Sequence, residues 1–160
     1  MKKLFFLLLS VLFCSCEKNK PDNSIINETD VDVSVLDESG NDLLNPTLKF
    51  PKSINTTEIA IYFVVNEREL LVDNELLDAS KGYRLLKPEG DNRHYRLRIF
   101  LNTLSTENIT KTIIQWDKDQ RDVLKAEMNR NKNMRYVTKI WLNETLVWKN
   151  EGVRFITVKK

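Results

Sequence analysis

The 160-residue chain has little of what most chemical sites are built from. It holds one histidine and two cysteines. That is too few for a His/Cys metal cluster or a disulfide framework. Its four glycines leave little room for a phosphate-cradling loop. Lys and Arg number 25 against 23 Asp and Glu. A formal charge of +2 argues against a dedicated nucleic-acid binder. No G-x-S-x-G or comparable nucleophile context occurs. His94, in Asp91-Asn92-Arg93-His94, is the sole candidate base and reads as an exposed turn or strand-edge residue. We therefore expect a non-enzyme with no catalytic residue, no metal and no cofactor.

An apolar run opens the chain at 4–13, broken only by Ser10. It sits behind Lys2 and Lys3 and ahead of Cys14 and Cys16. Ten residues suit a signal-peptide core. A membrane-spanning helix needs roughly 20. The segment resembles a bacterial lipoprotein signal, in which small residues precede a cysteine that becomes the acylated N-terminus. Cys16 follows Cys14 and Ser15, whereas Cys14 follows the bulky Phe13, so Cys16 fits better. Phe13 also departs from that pattern, which usually has Leu there. The resemblance implies a signal peptide at 1–15 and lipidation (palmitate among the acyl chains) at Cys16. The mature chain would then run from 16 to 160 with no disulfide. Loss of Lys2 and Lys3 would bring its formal charge to 0. More than one acyl chain makes such an anchor permanent. Residues 16–28 read as the lipidated cysteine and a flexible tether, with Pro21 and several asparagines. Glu17, Lys18, Lys20 and Asp22 loosely resemble the charged export signals of surface lipoproteins in Bacteroidetes. That implies an outer-membrane, surface-exposed address.

Residues 29–160 read as one all-β domain. Val31, Val33 and Val35 alternate with Asp32 and Ser34, and a turn at 37–42 leads to a short strand at Leu43-Leu44. The run 59–65, IAIYFVV, suggests a strand buried on both faces. Short strands follow at 70–72 and 82–86. In 95–101, Tyr95, Leu97, Ile99 and Leu101 share one face, and Arg96, Arg98 and Phe100 share the other. The stretch 117–130 fits a helix or a strand. Strand is favoured because Leu124, Ala126 and Met128 alternate with Lys125 and Glu127, and a meander keeps the connections short. In 136–142, Tyr136, Thr138, Ile140 and Leu142 are expected on one face, with Val137, Lys139 and Trp141 on the other. Asn143-Glu144 predicts a two-residue hairpin, although Glu is a poor choice for positive φ. Residues 153–158 form the last strand. Roughly ten short antiparallel strands at this spacing predict a β-sandwich, immunoglobulin-like or related.

Candidate chemistry is sparse. Asp37-x-Ser39-x-Asn41 and Asp117-x-Asp119-x-x-Asp122 space oxygens as calcium loops do, but neither has the EF-hand frame, and polar turns explain both. The acidic residues show no pair held in an apolar pocket, which glycosidase chemistry would need. Arg84, Arg93, His94, Arg96 and Arg98 gather positive charge around one strand, as recognition of an acidic polysaccharide or lipid headgroup requires. Aromatics on strands are usually core. Trp141, with Lys139 on its side of the strand, is the best candidate for an exposed aromatic. The candidate ligand-binding set is thus Trp141, Lys139, Arg96 and Arg98.

The layout carries a wider resemblance. VDVSVLDESGNDLLNP, IAIYFVVN, TIIQWDKDQRDVLKAEMNR and TKIWLNETLVW, behind a lipoprotein signal, resemble small Bacteroidetes-type lipoproteins with an all-β ectodomain. The resemblance implies the address and the fold, and transfers no site residue. The expectation is a membrane-anchored lipoprotein that binds a glycan or an envelope protein at the cell surface. The alternatives are a periplasm-facing accessory subunit of an outer-membrane complex and a carboxylate-based glycan hydrolase.

Overall fold

The computed structural model describes residues 26–48, 53–75 and 78–160. The signal segment, Cys16 and residues 16–25 of the tether lie outside the described residues. Eleven strands occur among those described: β1 (Ile26–Glu28), β2 (Asp30–Leu36), β3 (Ala60–Val65), β4 (Arg68–Leu71), β5 (Tyr83–Leu86), β6 (Arg96–Phe100), β7 (Ile109–Gln115), β8 (Arg121–Arg130), β9 (Met134–Leu142), β10 (Thr145–Lys149) and β11 (Phe155–Lys159). They form two sheets packed as a sandwich. One has seven strands, in the order β1-β9-β8-β7-β3-β4 with β10 also on β9, and curls into a half-barrel. The other has the order β11-β2-β6-β5. β1 falls within the stretch read as tether and pairs with β9.

The alternation in sequence explains which face is buried. Val31, Val33 and Val35 of β2, Leu97 and Ile99 of β6, and Ile156 and Val158 of β11 point inward from the four-stranded sheet. Ile61, Ile114, Leu124, Ala126, Met128 and Ile140 meet them from the other. Each fully buried side chain of this size contributes about 1.5–3 kcal/mol. The stretch 121–130 is a strand with an unbroken alternation from Asp122 to Met128. Asn102, fully buried, secures the crossover between sheets. Its amide donates to the carbonyls of Val64 (2.8 Å) and Lys111 (3.2 Å), and its Oδ1 accepts from the N–H groups of Leu104 and Ser105.

Several expectations need correction. The strands are not all antiparallel: β1 on β9 and β11 on β2 run parallel. Both pairs join segments far apart in sequence, where no hairpin dictates direction. Leu43-Leu44 is not a strand. One bridge links Leu36 to Asp42, Asp42 Oδ1 accepts the Leu44 N–H at 3.0 Å, and Leu44 plugs the core. The run 59–65 is not buried on both faces, because Tyr62 and Val64 lie half-buried on the outside of the curled sheet. In β9 the expected faces hold only in part. Glu127 pairs with Lys139 but Met128 pairs with Val137, so Thr138 is an extra residue. This bulge reverses the alternation, and Val137 is buried together with Ile140.

The hairpin at Asn143-Glu144 forms, with φ of 46° and 72°. A second Asn-Glu pair, Asn66-Glu67, makes the β3–β4 turn with φ of 49° and 63°. Positive φ at both central residues matches the right-handed twist of the flanking strands.

Candidate functional site

The four candidate residues divide between opposite outer faces. Trp141 and Lys139 lie outside the curled sheet, and Arg96 and Arg98 outside the four-stranded one. They do not form one site.

On the curled sheet, cross-strand register places Val64, Lys111, Lys125, Trp141 and Leu146 side by side on five neighbouring strands. Lys111 and Lys125 are directly opposed, an arrangement that is unfavourable without an anion nearby. Lys125 pairs with Glu144, and Lys139 with Glu127 at 2.9 Å. Hydrogen bonds from Thr138 and Lys139 hold the Glu127 carboxyl below its ordinary range. Lys111 is exposed and makes no ion pair among the described residues. A depression of about 480 Å³ beside it is lined by Val64, Ile113, Val123, Lys111 and Lys125, with glutamates at its rim.

The three tryptophans have different fates. Trp116 is core, 1% exposed, and its Nε1 donates to Asp122 at 2.6 Å. Trp148 packs on the core and donates to the Glu151 carbonyl at 2.9 Å. Trp141 is half-buried, and its indole N–H has no acceptor among the described residues. The neighbouring Leu146 is 48% exposed. Trp141 thus offers a flat apolar surface and an unused donor, flanked by Lys125.

On the four-stranded sheet, Asp32 is 3% exposed and organises the arginines. Arg98 grips it with its side-on fork, Nε at 2.8 Å and Nη2 at 3.1 Å. That hydrogen bonding outweighs desolvation and keeps the Arg98 pKa above its usual value. Arg96 reaches the same carboxylate with Nη1 alone, at 2.9 Å. Its Nε is buried without an acceptor among the described residues. Arg98 is therefore engaged within the fold, whereas the equivalent edge of Arg96 is not.

The acidic loops are satisfied internally. Asp37 accepts from the backbone and side-chain N–H groups of Asn41. Asp117 caps the N–H groups of Asp119 and Gln120, both at 2.8 Å. Asp122 turns inward and accepts from Trp116, Asn143 (2.6 Å) and Lys160 (3.0 Å). Burial pushes the Asp122 carboxyl up, but the hydrogen bonds from Asn143, Lys160 and Trp116 outweigh it, so its pKa lies below the usual range. Among the described residues no group of three His, Cys, Asp or Glu is placed to hold a metal.

Sequence reasoning missed Lys111, Lys125 and Leu146 as neighbours of Trp141. No local signal marks them, because they come together only through strand register. Comparisons with family models, with curated proteins and with solved structures return no match.

Proposed function

We propose that this protein is a lipid-anchored envelope lipoprotein whose β-sandwich acts at the cell surface as a non-catalytic binding module, taking a glycan on the outer face of its curled sheet. The observation that carries the reading is Trp141. A sugar ring presents a face of C–H bonds to a flat aromatic surface and offers hydroxyl acceptors at its edge. Trp141 supplies both halves of that contact, since its ring is apolar and its N–H is unused. Lys125 is paired with Glu144, and Lys111 adds one positive charge with no ion pair among the described residues. The lipid anchor rests on the resemblance of the signal segment and on Cys16.

Three experiments test the surface address, the anchor and the glycan site. Protease added to intact cells should degrade the domain rapidly, while a periplasmic control survives. Survival of the domain until the outer membrane is broken would discard the surface reading. Cys16→Ala should abolish acyl labelling and membrane retention. Glycan-array binding by the full chain should disappear in Trp141→Ala, with folding unchanged by circular dichroism. Undiminished binding by that variant would remove Trp141 from the site.

A further inference from the structure

We infer that the four-stranded sheet carries a second, separate site, an oxyanion pocket built on Arg96. The pocket encloses about 270 Å³ and is lined by Asp91, Asn92, Arg93, His94, Arg96 and Phe155. A tight turn fixes its rim, with reciprocal backbone hydrogen bonds between Glu89 and Asn92 at 3.0 and 3.1 Å.

Three observations point to an anion. The first is the guanidinium edge. Arg98 shows what the Nε–Nη2 fork does in this sheet, gripping a carboxylate with both nitrogens. In Arg96 that fork has no acceptor among the described residues, and Nη1 alone holds the side chain to Asp32. An arginine anchored at one nitrogen with its bidentate edge unused is oriented for a carboxylate, sulfate or phosphate group. The second is charge. Asp32 and Asp30 together meet three guanidinium groups, those of Arg96, Arg98 and Arg154, and Arg93 is exposed with no ion pair among the described residues. Asp91 lies exposed at the rim. The third is the wall. Phe155, 38% exposed, gives the pocket an apolar side for the body that bears the anion. His94 also lines the pocket, its Nδ1 lying 4.0 Å from Asp42. The ligand class is a small molecule with a terminal oxyanion. Recognition on this face does not depend on Trp141, which lies on the other sheet.

The test uses the full chain in detergent, with the arginine Nε–H resonances followed by NMR. Sodium sulfate, phosphate and acetate are titrated separately against sodium chloride at equal ionic strength. The Arg96 resonance, assigned by its loss in Arg96→Lys, should shift saturably with at least one oxyanion and not with chloride. The arm that saturates at the lowest concentration identifies the acid. Arg96→Lys keeps charge but removes the fork and should weaken binding at least about tenfold. It also disturbs Asp32, so Arg93→Gln, an exposed change, provides the second variant and should weaken binding about three- to tenfold. Arg84→Gln, on the same sheet but outside the pocket, should leave affinity unchanged. Absence of a saturable shift in all three arms would overturn the proposal. So would equal weakening by Arg84→Gln and Arg93→Gln, which would reveal only a diffuse positive field.

Discussion

Replacing Asp122 should be the most damaging single change on the outer rim of this core. Its carboxylate is 6% exposed and receives three donors: the Trp116 indole, the Asn143 amide and the Lys160 ammonium. Asp122→Ala strands the indole N–H of a residue that is itself 1% exposed. It also leaves Lys160, with its side chain 18% exposed, facing the Trp116 ring without a counter-charge. Breaking a buried ion pair from one side costs about 3–5 kcal/mol. Three hydrogen bonds to a charged acceptor, at about 1.5–3 kcal/mol each, set a higher ceiling. Lys160 lowers the expectation because it can turn toward water, so about 3–4 kcal/mol is the working figure. That is a large share of a typical stability of about 5–15 kcal/mol. In urea, with a slope of about 1–3 kcal/mol per M, the midpoint should fall by about 1–4 M. Tryptophan fluorescence reads it directly. A fall below about 0.5 M with an unchanged slope would refute the reasoning. Asp122→Asn adds a pH signature. The folded pKa lies below the ordinary value of 3.8, so the carboxylate's stabilisation is complete above that value and is lost as pH falls through the folded pKa. The gap between wild type and Asp122→Asn should therefore be widest at neutral pH, begin to narrow below about pH 4 and close only below the folded pKa. A constant gap would separate the effect from ionisation.

Two further predictions concern backbone conformation. Glu67 sits at φ 63° in the β3–β4 turn, where a non-glycine residue costs about 1–2 kcal/mol. Glu67→Gly should raise stability by about 0.5–1 kcal/mol after the added chain entropy is subtracted, and a lower thermal midpoint would contradict this. Gly82 has φ 77°, and a Cβ there would stand 3.0 Å from Val72 Cγ1 and 3.3 Å from Ile61 Cβ. Gly82→Ala should destabilise by about 1–3 kcal/mol, and an unchanged urea midpoint would show that the β4–β5 connection yields at little cost.

Much of the fold was legible because strand alternation is local. The faces of 31–35 and 95–101 read correctly from period two, since every second residue is apolar and one face meets the core. The stretch 121–130 resolved as a strand because alternation and short connections agreed. The turn at Asn143-Glu144 was visible from its spacing, even against the preference for glycine. Trp141 was recognised as outward-facing, yet for a pattern that holds only in the second half of β9. The bulge at Thr138 changes the phase before it, and no residue in 136–142 announces a bulge.

The site was less legible. Arg96 and Arg98 are equivalent in sequence, two apart on one face, with nothing local to distinguish them. The structure separates them: Asp32 occupies the fork of Arg98 and only one nitrogen of Arg96. Lys111, Lys125 and Trp141 likewise have no relation in sequence, and two registers align them.

The amino-acid sequence by itself determined most of the strands, most of their buried faces and the position of the Asn143-Glu144 turn. These depend on neighbours one to three residues away. Tertiary structure alone decided which strands pair, that two pairs run parallel, where β9 changes phase and which charges meet. Those outcomes depend on packing between residues up to 124 positions apart, as in the Arg154–Asp30 hydrogen bond. A period-two pattern states which face is apolar, but the partner across the ladder is fixed only when two sheets close on a common core.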